Sequence, residues 1–173
     1  MKKILFAAMA GLLCFCISCT SKTKGTGSDK AKSNMAASDA IGKAFETGDI
    51  SKIDGLVADD FVDHTDQGDK KGKDSLKAMI TLMHSTMKDM KMEVVHEVAD
   101  DDYVFSWNHY SGTSDGAMGM PKGPYSMNAI EVSKFKDGKA IEHWSFVNMM
   151  EMMKMMPPPD MSHMNNMDTT KPK

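Results

Sequence analysis

FKDGKAIEHW, residues 135–144, reads as a β-hairpin and decides the rest of the chain. Asp137 and Gly138 supply the two φ > 0 positions of a tight type I′ turn, and the runs on either side carry β-branched and aromatic residues. Working outward, residues 125–135 and 139–147 are its two arms. Upstream, 92–98 and 103–111 also alternate or carry β-branched and aromatic residues, with a turn at 100–102 between them. Before these the period changes. Leu76, Met79, Ile80, Met83 and Met87 fall at helical spacing and predict a long helix over 74–87. Ile41, Ala44 and Phe45 form an apolar stripe that stops at Gly48, the residue type that suits the position just past a helix C-terminus. Asp49 can cap a second short helix with Ile50, Ile53 and Val57 facing inward, and 61–64 is a brief extended segment. Helices followed by a run of antiparallel strands is an α+β plan, with the helices on one face of a curved sheet.

The segment before this domain has a different composition. Residues 1–18 have a basic start at Lys2 and Lys3, an apolar run from Ile4 to Ile17, and a small residue, Ser18, before Cys19. This reads as a secretory signal, too short to span a bilayer as a stable helix. Of the three cysteines, Cys14 follows Leu13 and Cys16 follows Phe15, whereas Cys19 follows Ser18 as in a bacterial lipobox. Cys19 is therefore the expected site of lipidation; the other reading is an ordinary cleaved signal with incidental cysteines. With Cys19 acylated, no thiol remains for disulfides, thiolate catalysis or Cys-ligated zinc. Residues 19–33 are rich in Ser, Lys, Gly and Thr without a large apolar residue, the composition of a flexible tether. The expectation is a protein anchored in the cell envelope, on the periplasmic face of the outer membrane. A net charge of −3 and a pI near 6.0 give no basic footprint, so no nucleic-acid partner is expected.

Together with GDISKIDGLVADDFVDH at 48–64 and DYVFSWNHYSGT at 102–113, the opening hairpin resembles the SnoaL-like, polyketide cyclase or "ester cyclase" branch of the nuclear transport factor 2 superfamily. The resemblance covers 34–156. It implies an NTF2-like cone, with N-terminal helices packed on a curved antiparallel sheet around a pocket for a small, mostly apolar molecule. It also implies cofactor-free chemistry and an open sheet face that pairs into homodimers. The family's cyclases use an aspartate two residues after the histidine of the EHW motif as general acid/base; here that position is Ser145, whose hydroxyl cannot exchange protons near neutral pH. A second family position, histidine in the cyclases and a carboxylate in many relatives, corresponds to Glu131. In an apolar cavity a carboxylate has its pKa raised and can act as an acid or base.

The candidate catalytic residues are therefore Glu131 and His143, and the candidate ligand contacts are His64, Trp107, His109 and Ser145. Period two places Ile141, His143, Ser145 and Val147 on one face of their strand and Glu142, Trp144 and Phe146 on the other. Each candidate has a plainer reading. Glu131 can be a solvated outer carboxylate, His143 a structural hydrogen-bonding residue, and His64 a turn residue at a strand end. Trp107, where many relatives have arginine, can be core packing, with His109 sharing its face. No HxxxH or HExxH spacing supports a metal centre. Three function classes stay open: a cofactor-free cyclase or isomerase, a non-catalytic binding module, and Cu(I) handling by a Met-rich tail. The last rests on Met149, Met150, Met152, Met153, Met155 and Met156 on a final helix, then Met161, His163, Met164 and Met167, since thioethers are soft donors. Methionine is used throughout the chain, however, and a greasy helix followed by a disordered tail at 157–173 explains the same residues.

Overall fold

The computed structural model describes residues 27–156. Cys19, the leader and the 157–173 tail lie outside the described residues. The elements run α1 (Asp29–Thr47), α2 (Ile53–Leu56), β1 (Val57–Thr65), β2 (Gly68–Lys71), α3 (Lys73–Thr86), β3 (Met87–Ala99), β4 (Tyr103–Ser114), β5 (Gly123–Lys136), β6 (Lys139–Val147) and α4 (Met149–Met155). The strands form one open sheet in the order β2-β1-β6-β5-β4-β3. All neighbours are antiparallel except β1 and β6, which run parallel. This is the expected α+β architecture, with α1 to α3 on one face of the sheet.

The β5–β6 hairpin has the turn its sequence demands: Asp137 and Gly138 sit at φ 51° and 75°. Gly48 closes α1 in the left-handed region, its N–H donating to the carbonyl of Ala44 at 2.8 Å, as a glycine beyond a helix end does. The start of α1 corrects the sequence reading. The helix begins at Asp29, inside the expected tether, with the Ser28 side chain accepting from the Ala31 N–H at 3.0 Å. Ala31, Asn34 and Ala37 are buried and Asn34 Nδ2 donates to the carbonyl of Asp101. The residues are small because the helix lies close against the β3–β4 turn, and a search for large apolar side chains misses such a contact.

Other boundaries moved for equally local reasons. α2 is a single turn, and Val57, expected on its inner side, opens β1 while remaining fully buried. Met87 starts β3 rather than ending α3. β2, Gly68–Lys71, went unnoticed because GDKK lacks strand-forming side chains and is exposed throughout; its lysines suit a sheet edge, where charge discourages further pairing.

One core lies at one end of the sheet. Ala37, Ala44, Ile53, Val57, Phe61, Leu76, Ile80, Val104, Phe135 and Ala140 pack together between the helices and the sheet. A second, smaller cluster lies toward the other end and consists of Met87, Met90, Met120 and Tyr125, with Phe45, Met83, Tyr110 and Met155 packed on it. Among the described residues, no helix is long and apolar enough to cross a membrane.

Candidate active site

Between the two clusters the helix-facing side of the sheet becomes polar. Register sets which residues meet there. Ser106 on β4 lies opposite Glu131 on β5, Glu131 opposite Ser145 on β6, and His143 of β6 beside Asp63 of β1. His143 itself is paired with Ser133, so it reaches Glu131 as a diagonal neighbour, a separation that long side chains bridge. A register shift between Lys134 and Phe135, opposite Glu142 and Ala140, makes a bulge at Ile141. Ala140 and His143, three residues apart, consequently both point inward, and Ile141 drops out of the simple alternation.

His143 is held between two carboxylates. Its Nδ1 lies 2.8 Å from Asp63 Oδ1 and its Nε2 lies 3.1 Å from Glu131 Oε2. Glu131 Oε1 accepts from the Tyr110 hydroxyl at 3.0 Å and from Ser145 Oγ at 3.1 Å. Asn108 Nδ2 donates to the Tyr110 hydroxyl at 3.4 Å and to Ser106 Oγ at 3.3 Å. Glu131 Oε2 is buried and, despite the nearby imidazole, has no aligned donor; Asn108 Oδ1 is likewise buried without a partner among the described residues. The side chains of His143, Asp63 and Glu131 retain 26%, 18% and 15% of their accessible surface, so the trio is sheltered without being sealed.

The folded environment also charges the imidazole beside Glu131. Burial alone would lower the His143 pKa, but the hydrogen bond to Asp63, the contact with Glu131 and the two negative charges outweigh it and push it up to about 9. At neutral pH the imidazole between Asp63 and Glu131 is protonated. Tyr110 is shifted strongly upward, first by burial and then by the Glu131 charge, so its phenol stays protonated and acts as a donor.

The expected ligand contacts divide between the two faces. Ser145 is at the site, as a donor to Glu131. His64, Trp107 and His109 are not: strand alternation turns all three to the outer face. His64 stacks on Trp144 with ring centroids 4.6 Å apart, its ring nitrogens near Asp69 (2.9 Å) and Glu142 (3.2 Å). His109 contacts Asn128 and Ser126. Trp107 lines a shallow outer cleft of about 280 Å³ with Ile130, Phe146, Asn128 and Glu151, away from Glu131. The residues that sequence reasoning missed are Asp63, Tyr110 and Asn108. Asp63 precedes the chosen His64, so the choice was one residue out of phase. Tyr110 and Asn108 follow Ser106 at period two, a signal that becomes legible only once Ser106 is placed inside. Among the described residues, no group of three or more His, Cys, Asp and Glu side chains is placed to hold a metal ion.

Solved structures share this fold at low sequence identity. TsrD from Streptomyces laurentii superposes with a TM-score of 0.64 at 20% identity, covering 72% of this chain and 94% of its own. A SnoaL-like protein from Jannaschia sp. CCS1 gives 0.65 at 16%, covering 76% and 96%. An epoxide hydrolase of LEH-like type from M. tuberculosis gives 0.61 at 14%, covering 72% and 90%. No functionally curated protein matches the sequence. The family model for SnoaL-like polyketide cyclases matches residues 36–156, most of the described chain and every residue of the Asp63–His143–Glu131 trio. The chain belongs to the SnoaL-like polyketide cyclase family.

Proposed function

We propose that this domain is a cofactor-free acid/base enzyme acting on a small, largely apolar molecule, with Glu131 as the base and the His143 imidazolium as the acid. The supporting observation is the placement of His143 between Asp63 and Glu131. Tyr110 and Ser145 occupy Glu131 Oε1, which leaves Oε2 to take a proton. When Oε2 removes a proton from carbon beside a carbonyl, negative charge develops on the carbonyl oxygen, and the imidazolium neutralises it by donating its Nε2 proton. Asp63 keeps the imidazole charged and oriented. Acid/base transfer of this kind contributes about 10² to 10⁴ in rate. The family's ring closures and isomerisations both need this step; Ser145 takes no part in proton transfer beyond its hydrogen bond. The test is exchange of α-C–H for deuterium in D₂O across a panel of cyclic ketones, followed by NMR. Exchange abolished by Glu131→Gln supports the reading, and exchange that survives it sinks it in favour of a binding module.

The setting is proposed as an envelope lipoprotein acylated at Cys19, in which case Cys19→Ala moves the protein from membranes to the soluble fraction. A second copy of the chain is proposed to cover the outer sheet face. Trp107, Ile130 and Phe146 lie in register on three adjacent strands, and all are exposed, forming a flat apolar row of the kind a two-fold interface buries. Light scattering that gives a monomer mass at micromolar concentration would remove this part.

A further inference from the structure

Methionine plays two different parts in this chain. Inside, it fills space. Met87 and Met90, turned inward together by the register shift in β3 between Lys88 and Lys91, with Asp89 at φ 52°, pack with Met120 and Tyr125. A thioether buried in this way behaves as an adaptable apolar side chain. On α4 the arrangement is the reverse. Glu151 holds that helix on β5, its carboxylate accepting from the Asn128 N–H at 2.7 Å and from Asn128 Nδ2 at 3.1 Å, and Met155 packs on the inner cluster. With those two residues toward the sheet, a turn of about 100° per residue puts Met149, Met153 and Met156 on the opposite side, within an arc of about 60°. All three face solvent. They retain 63%, 59% and 52% of their accessible surface, and Met150 at the flank retains 64%. Met149, Met150 and Met153 are the most exposed large hydrophobic side chains among the described residues.

That exposure separates α4 from a greasy helix, which would bury its methionines. Methionine is the apolar side chain that also carries a lone-pair donor on a freely rotating stem, so a stripe with methionine at every position presents three thioether sulfurs to solvent. Residues three and four apart on a helix are neighbours, close enough for such flexible side chains to converge on one ion. Neutral thioethers are soft donors and select Cu(I), whereas Mg, Ca and Mn call for carboxylate, carbonyl or water oxygens. Oxygen ligands are not assembled here: among the described residues no group of His, Cys, Asp and Glu is placed to hold a metal ion, and the Glu151 carboxylate is committed to Asn128. We propose that Met149, Met153 and Met156 form a surface site for one Cu(I) ion, with Met150 beside them as a further donor. The site shares no residue with the Asp63–His143–Glu131 trio and does not depend on the acid/base reading. Because its sulfurs stand in solvent, the ion is held exchangeably.

The test uses the full chain with ¹³C-methyl methionine and with its cysteines alkylated so that no thiol competes. Cu(I), which is diamagnetic, is added as its acetonitrile complex under anaerobic conditions with ascorbate, and resonances are assigned by single Met→Leu changes. Saturable shifts of the Met149, Met153 and Met156 methyls, with those of Met87, Met90 and Met120 unmoved, support the site. By calorimetry, the triple change Met149→Leu, Met153→Leu and Met156→Leu, which keeps the apolar surface and removes the sulfurs, should bind Cu(I) at least about tenfold more weakly. Met161→Leu, Met164→Leu and Met167→Leu together, which remove the later thioethers of the chain, should leave the α4 shifts in place. Shifts confined to Met161, Met164 and Met167, or a triple α4 variant that binds Cu(I) as well as the unaltered chain, overturns the site and leaves the stripe as apolar surface.

Discussion

Two histidines on the same pair of strands occupy nearly mirrored settings. On β1 and β6, Asp63 and His143 face the helices while the residues adjacent to them in sequence, His64 and Glu142, face away. Each imidazole lies between two carboxylates: His143 between Asp63 and Glu131, His64 between Asp69 and Glu142. What separates them is what else surrounds the carboxylates. Glu142 is tied to Lys134 at 2.7 Å and Asp69 stands at the exposed β2 hairpin, so charge on the outer trio is compensated and solvated. Among the described residues Glu131 has no cation but His143, and it lies beside Tyr110 in a sheltered, low-dielectric place. The same three residue types make a surface clasp on one side of a strand and the proposed proton-transfer group on the other.

The largest expected effect tests the inner trio directly. Glu131→Gln keeps shape and removes basicity, and it should lower ketone exchange by about 10² to 10⁴; Ser145→Ala, which loses one donor to Oε1, should lower it by no more than about tenfold. Next comes Asp63→Asn, which removes the strongest of the interactions that hold the His143 proton. Its imidazole should titrate well below 9 in a two-dimensional NMR titration, and the alkaline limb of the exchange–pH profile should shift to lower pH with it; an unmoved limb would mean that His143 is not the acid.

The pH dependence of stability should separate the two histidines. Because the folded His143 pKa is raised above its ordinary 6.5 to about 9, the stabilisation from binding its proton is complete below about 6.5. It is lost as pH rises through about 9. The amount is on the order of 3 kcal/mol, read as a fall in urea unfolding free energy between those limits that His143→Gln should largely remove. His64 is also raised, first by its hydrogen bond to Asp69. Its contribution is therefore likewise present at low pH and lost at higher pH, but the trio is exposed and salt-screened. The smallest expected effect is that of His64→Ala: an unfolding midpoint that barely moves, because exposed ion pairs contribute little, and no change in exchange. Equal effects of the two histidine substitutions on exchange would break the contrast between the faces.

Some of this was legible in the residues themselves. Asp137-Gly138 sets a turn because only certain residues accept φ > 0 at both positions, and Gly48 ends α1 for a related reason. Period two separated His143 and Ser145 from Glu142 and Trp144 without any structure. The same rule could not say that Asp63, rather than His64, shares the His143 face, because parity within a strand has no absolute sign until a neighbouring strand is paired. Trp107 and His109 went to the wrong side on the same ambiguity. Asn108 and Tyr110 fell on the right one unseen.

By itself the sequence determined the α+β class, the family and the positions of the strongest turns, all of which depend on local backbone preference and short-range periodicity. Tertiary structure decided the site. The parallel pairing of β1 with β6 brings Asp63 to His143 across 80 residues of chain, and the bulges at Ile141 and near Asp89 override alternation at the two places where inward side chains matter most. The charge of His143 belongs with these. An imidazole that is neutral or protonated in water according to the solvent is, here, kept protonated by two carboxylates that only the folded sheet brings within 3.1 Å.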